Sequence, residues 1–311
     1  MNFSENNINF KENIYEICSM DKIYPNSLEE INNPPKKLYC VGNISLLNMT
    51  SVAIVGSRNS SEYGELMTKR ITKELVQNGI VIVSGMANGI DAVAHKSCIE
   101  NGGKTIAILG SGFNHIYPKE NEKLFYQIIK SNGLVISEYP VNTPVCTKNF
   151  PKRNRIISGL SRGVLVIEAA YRSGTSITAK LAKSQGKFVF CIPHSIGDKN
   201  SYGVIKLIQN GAILVKNGED ITKKLGITSN ETSETKTVIH EKNQQLRILD
   251  SNSKKIVECI SQNKNMDAEK ISMQTNINIS VVNQILTMLE IEEIVIYTGK
   301  NGYDLAEAYY E

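Results

Sequence analysis

There is no tryptophan in this 311-residue chain, and no apolar run long enough to span a membrane. The opening stretch MNFSENNINFKENIYEICSM has no basic run leading into an apolar one, so it does not read as a secretory signal. Both absences predict a cytoplasmic protein. The six cysteines (Cys18, Cys40, Cys98, Cys146, Cys191 and Cys259) form no CxxC pair and no Cys/His cluster. That argues against a zinc site and against a disulfide framework, and predicts reduced thiols, with Cys191 in the core. GxxxxGKS/T is missing, so there is no P-loop, and the turn Gly56-Ser57-Arg58 lacks the GxGxxG of dinucleotide enzymes. Neither a conventional NTPase nor a dehydrogenase is expected, and the composition calls for no cofactor or metal.

Hydrophobic residues make up 41 % of the chain, enough for a sizeable core, and the formal net charge is +4. The charge is unevenly placed. Residues 50–225 hold 23 Lys/Arg against 12 Asp/Glu, whereas residues 1–49 hold 4 against 6 and residues 226–311 hold 8 against 13. A basic centre between mildly acidic flanks predicts an anionic partner for the centre.

That centre alternates short β-branched runs with amphipathic ones. Val52–Val55, Ile80–Val83, Thr105–Leu109, Leu134–Ile136, Val164–Ile167, Phe188–Ile192 and Ala212–Val215 read as strands buried on both faces. Glu62–Asn78, Ile90–Asn101 and Thr175–Gln185 read as the helices between them. Repeated strand–helix–strand units predict an α/β fold, an extended Rossmann-like, doubly wound parallel sheet over 50–225. Residues 1–49 read as an extended lead-in and 226–250 as a polar linker. In 251–311, helices over Lys254–Asn263, Ala268–Asn276 and Ile279–Leu289, a strand at Glu293–Tyr297 and a turn at Lys300-Asn301-Gly302 predict a small winged-helix-like domain.

Ligands of an open parallel sheet bind beyond the carboxyl ends of its strands. The expected loops there carry Gly56, Ser57 and Arg58, then Ser84, Gly85 and Gly89, then Gly110 and Ser111, then Glu168 with Ser173, Gly174 and Thr175. Glycines let backbone approach a ligand, and open N–H groups at a helix start suit phosphate, although each such residue also caps a helix or tightens a turn. The sharpest feature is KNFPKRNR, which sets Lys148, Lys152, Arg153, Asn154 and Arg155 around one aromatic, Phe150. Cations follow a phosphate backbone and an aromatic stacks on bases, the pairing that sequence-tolerant single-strand binding needs. The competing readings are a nucleotide-acting enzyme built on Glu168, in the manner of the phosphoribohydrolases called lonely-guy proteins, and a nucleotide sensor at the same edge. The PGGxGTxxE arrangement of those enzymes is absent. Asp91 and His95, four apart on one helix face, read as a structural pair sooner than as a proton relay.

VAIVGSR at 52–58 with Tyr63-Gly64, SGMANGIDAVAH at 84–95, Tyr117-Pro118, Ser137-Glu138, FPKRNRIISGLS at 150–161 and VIEAAYRSGTSITA at 166–179 resemble, in order, the DNA-processing protein A (DprA/Smf) family. The resemblance covers most of 24–220. It implies a single-stranded-DNA-binding homodimer without established catalysis. The family protects incoming strands and loads RecA in recombination and natural transformation (competence). It implies further that Arg58, Lys148, Phe150, Lys152, Arg153 and Arg155 form the DNA pocket. Three features depart from the pattern. Residues 1–49 match only the trailing end of the family's N-terminal helical domain. His194 stands where the family has Gly, and Ile205 where it has Asn; both are expected at the ligand edge. The third helix of the C-terminal part, 279–290, holds no Lys or Arg, so this part is expected to bind protein or pack on the core, not to read duplex DNA.

Overall fold

The computed structural model describes residues 14–170, 173–227, 250–263, 266–291, 294–299 and 302–306. The chain divides into two compact units at about residue 229.

The first unit is a nine-stranded sheet. Its strands are β1 (Ile14–Cys18), β2 (Lys37–Gly42), β3 (Ser51–Val55), β4 (Val81–Ser84), β5 (Thr105–Leu109), β6 (Leu134–Ser137), β7 (Gly163–Val166), β8 (Phe188–Cys191) and β9 (Ile213–Leu214). Their spatial order is β1-β2-β6-β5-β4-β3-β7-β8-β9. From β6 through to β9 every pairing is parallel. β3, β4, β5 and β7 are buried along their whole length, which is why they read as unbroken apolar runs and not as alternating ones.

Helices cover both faces. α1 (Asn26–Glu29), α5 (Asn149–Leu160), α6 (Gly174–Ser184) and α7 (Tyr202–Gln209) put Leu28, Ile156, Ile157, Ala179, Ala182 and Val204 against one face. α2 (Glu62–Gln77), α3 (Ile90–Glu100) and α8 (Gly218–Leu225) put Ile71, Leu75, Ala94, Cys98, Ile221 and Leu225 against the other, and α4 (Glu122–Lys130) adds Leu124, Phe125 and Ile128 there. The expected doubly wound α/β architecture is present.

Residues 14–49 are more than the lead-in that the sequence suggests. β2 runs antiparallel to both β1 and β6, so this segment completes one edge of the sheet. The reason is the pattern of β2, where Leu38 and Cys40 face the core in alternation with half-exposed neighbours. Tyr24 is buried beneath and its hydroxyl donates to the carbonyl of Pro35 at 2.6 Å, which fixes the Pro-Pro turn before β2. The linker expected over 226–250 lies outside the described residues except for its ends, as do 1–13 of the expected lead-in.

The second unit holds helices Ser251–Gln262, Ala268–Thr275 and Ile279–Ile291 and an antiparallel pair, β10 (Val295–Tyr297) with β11 (Tyr303–Leu305). Ile256, Ile260, Ile271, Val282, Leu286 and Val295 form its separate core. Glu293, Lys300 and Asn301 of the expected strand and turn lie outside the described residues. Among the described residues no helix is long and apolar enough to cross a membrane.

Candidate nucleic-acid interface

Along the chain, β3 to β6 are laid down on one side of β3, and then β7 is placed on its other side. The crevice beyond the carboxyl ends of β3 and β7 is therefore a topological switch point, where doubly wound sheets bind ligands. A trough of about 510 Å³ lies there. Val55, Gly56, Ser57 and Arg58 leave β3 along one side, and Ser173, Gly174 and Thr175 open α6 on the other. Phe150, Arg153 and Asn154 reach in from α5. The two sides are tied together, because the Thr175 hydroxyl donates to the Gly56 carbonyl at 2.9 Å.

α5 explains how the cationic cluster is sorted. Pro151 sits in its first turn, where the missing N–H costs nothing, so the whole KNFPKRNR stretch coils into one helix and its cations point different ways. Phe150 faces the trough. Its ring packs on Tyr117 at 5.5 Å between centroids, tilted by 38°, and the Arg58 guanidinium lies 5.7 Å from its centroid. Gly110 permits this: a Cβ there would come within 2.8 Å of the Phe150 ring. Arg58 is exposed and Phe150 half-buried, so a cation and an aromatic stand together at the mouth. A second pocket of about 170 Å³ adjoins this pair and is lined by Gly85, Asn88 and Pro118 as well.

Arg153 is a buried floor, 5 % exposed. Its Nη1 donates to the carbonyls of Gly85 and Ile108, and its Nε to Asn154 Oδ1 at 3.2 Å. Asp91 lies beside it and accepts the backbone N–H groups of Gly85 at 3.1 Å and Ala87 at 3.4 Å. Burial pushes the Asp91 carboxyl up, against the pull of the Arg153 guanidinium and these N–H groups. Burial also lowers Arg153 to about 10, with Asp91 opposing and Arg58 adding to the fall.

Other expected site residues stand elsewhere. Arg155 turns away from the trough: its Nη2 pairs with Glu138 Oε1 at 2.6 Å and its Nε donates to the Asn33 carbonyl at 2.9 Å. It clamps the α1–β2 segment to the sheet. Lys148 and Lys152 are exposed near the start of α5 and do not line the trough. Ser84 donates to the Ile54 carbonyl at 2.6 Å and Ser111 to that of His115 at 2.6 Å, so both hydroxyls brace strand ends beneath the surface. Gly89 and Gly110 serve close packing of protein on protein: a Cβ at Gly89, whose φ is +72°, would stand 2.3 Å from the Ser57 carbonyl oxygen. Glu168 is fully buried. It accepts the hydroxyl and the backbone N–H of Ser61, the residue that caps α2, and the side-chain amide of Asn200 at 3.2 Å. It lines neither pocket.

His95 is buried and bonds through Nδ1 to Thr105 Oγ1 at 2.7 Å, so it braces α3 on β5. Burial lowers it to about 3. His194 packs edge-on against Tyr63 at 5.2 Å, and Ile205 lies within α7; neither lines the trough, so the two departures leave it intact. All six cysteines are free, with Cys191 buried and pushed up to about 12 by that burial. Among the described residues no cluster of His, Cys, Asp or Glu is arranged to hold a metal. Sequence reasoning missed Tyr117 and the place of Asp91 in the trough wall. Tyr117-Pro118 carried a signal only as a motif, and Asp91 only as a partner for His95.

A family model, DNA recombination-mediator protein A, matches residues 16–226. Protein Smf of Escherichia coli is 42 % identical over 213 residues, which cover 68 % of this chain and 57 % of that protein. DNA processing protein DprA of Streptococcus pneumoniae is 46 % identical over 202 residues, 65 % of this chain and 71 % of that one. Its solved structure superposes with a TM-score of 0.65 at 44 % identity, over 68 % of this chain and 74 % of that one. DNA processing protein A of Helicobacter pylori, solved for insight into its single-stranded DNA binding mode, superposes with a TM-score of 0.61 at 32 % identity, over 68 % of this chain and 95 % of that one.

Proposed function

Since the chain belongs to the DNA recombination-mediator protein A family, for which a role in DNA processing follows, we propose that its trough binds single-stranded DNA without sequence preference. The observation that carries this is the Arg58–Phe150 pair at the switch-point crevice: a cation for a phosphate beside an aromatic face for a base. The basic charge of 50–225 supports the same reading. The relative from Helicobacter pylori, in which single-stranded DNA binding is described, is 32 % identical here.

The reading extends to a homodimer that protects an incoming strand and passes it to RecA in recombination and transformation, in the cytoplasm, without cofactor or turnover. Its support is the family resemblance. For the enzyme alternative, Glu168 is the wrong group in the wrong place, since its oxygens cap α2 and face no pocket.

Fluorescence anisotropy with labelled oligo-dT and a matched duplex over a salt series tests the binding. Tight, salt-sensitive single-strand binding with a log–log slope of roughly −0.7 per phosphate neutralised, weakened in Arg58→Ala, is the expected result. Binding indifferent to Arg58→Ala and Phe150→Ala removes the trough as the site. RecA-dependent strand exchange with and without the protein tests the hand-over.

A further inference from the structure

The floor of the trough carries two polar groups with nothing to bond. Asp91 is 8 % exposed and both of its backbone N–H contacts fall on Oδ2; Oδ1 has no hydrogen bond among the described residues. Asn154 accepts Arg153 Nε–H at its Oδ1, which fixes the amide so that Nδ2 points the other way, also without a partner among the described residues. Both residues line the trough that Phe150 enters. The two groups are close to one another through Arg153. Asp91 Oδ2 lies 2.7 Å, and the Arg153 guanidinium carbon 2.8 Å, from one point, the position of a Cβ on Gly85. The trough thus offers a fixed acceptor and a fixed donor around a buried guanidinium.

Every natural base has a neighbouring donor and acceptor on its Watson–Crick edge: thymine N3–H with O4, adenine N6–H with N1, cytosine N4–H with N3, guanine N1–H with O6. In a duplex both groups are taken by the paired base. Resting on the single-strand reading above, we propose that Asp91 Oδ1 and Asn154 Nδ2 bond the Watson–Crick edge of one base. This seat makes the trough selective for unpaired nucleotides while tolerating any sequence. Charge and stacking alone favour a single strand weakly, because a duplex also has phosphates; a seat for the pairing edge excludes it outright. Asp91 and Asn154 are then the residues that determine strand specificity.

The test compares wild-type protein on oligo-dT and on the same oligomer with N3-methylthymine, which keeps charge, acceptors and stacking but loses the donor. Wild type should bind the methylated strand roughly ten- to a hundred-fold more weakly, the cost of leaving a buried charged acceptor without its hydrogen bond. In Asp91→Asn the two backbone N–H groups keep an oxygen at the Oδ2 position, so an NH₂ stands at Oδ1; the discrimination between the two strands should vanish. A wild type that binds both strands equally overturns the base seat and leaves the binding reading standing. A penalty that persists in Asp91→Asn assigns it to methyl bulk and overturns the seat too. Absence of binding to oligo-dT itself fails the single-strand reading, and this inference with it. Should Asp91→Asn not fold, oligo-deoxyadenosine against its 6-deamino analogue on wild type removes the donor without added bulk, and equal affinities there also overturn the proposal.

Discussion

Arg153 and Arg155 differ by two positions and do different work. Arg153 holds the carbonyl ends of β4 and β5 under the trough, while Arg155 pairs with Glu138 on the far side of α5. The pair is only 11 % and 24 % exposed, so Arg155→Ala strands a mostly buried carboxylate. The expected cost is roughly 3 kcal/mol in urea unfolding, with single-strand affinity of the folded protein unchanged. Arg58→Ala should do the reverse: unaltered stability, weaker binding, and a salt slope smaller by roughly 0.7. Phe150 and Arg58 were visible in the sequence because an aromatic among cations has few other uses. The split between Arg153 and Arg155 was not, because it depends on how α5 is rolled against the sheet, and a run of four cations hides that roll.

At the scale of elements, the strand ends are held by side chains that resemble catalytic ones in sequence. Glu168 satisfies the N-terminus of α2 and the Asn200 amide together. Glu168→Ala should therefore lower stability by about 3 kcal/mol, read by thermal or urea melts, through the buried donors it strands. Glu168→Gln should retain most DNA binding. The parallel strands β3 to β8 were legible from their unbroken apolar runs. β1 and β2 were not, since the alternation in KLYCVG is short and follows two prolines, and only β6, about ninety residues downstream, shows what it pairs with. In the same way, the glycines after β3, β4 and β5 look like phosphate-binding turns, yet Gly110 makes room for Phe150 and Gly89 for the Ser57 carbonyl.

For the whole molecule, the first unit's stability is linked to acidity through His95. Its folded value, about 3, is below its ordinary 6.5, so the folded state binds fewer protons. Its contribution is complete above pH 6.5 and is lost as pH falls toward 3, by up to about 1.4 kcal/mol per pH unit. Urea midpoints measured from pH 7 to pH 5 should fall along that slope in wild type and along a shallower one in His95→Gln. The second unit has its own core and a third helix without basic residues, so a 250–311 fragment should give no anisotropy change with duplex DNA at physiological salt. The antiparallel edge has a further consequence during synthesis. β2 leaves the ribosome early, but the strand it must lie against, β6, emerges about ninety residues later, roughly 5–18 s at usual elongation rates. Throughout that interval Leu38, Cys40 and Val41, all buried in the finished protein, have no sheet to join. The nascent chain therefore carries an apolar β-hairpin with an open side, a natural client for chaperones at the exit tunnel.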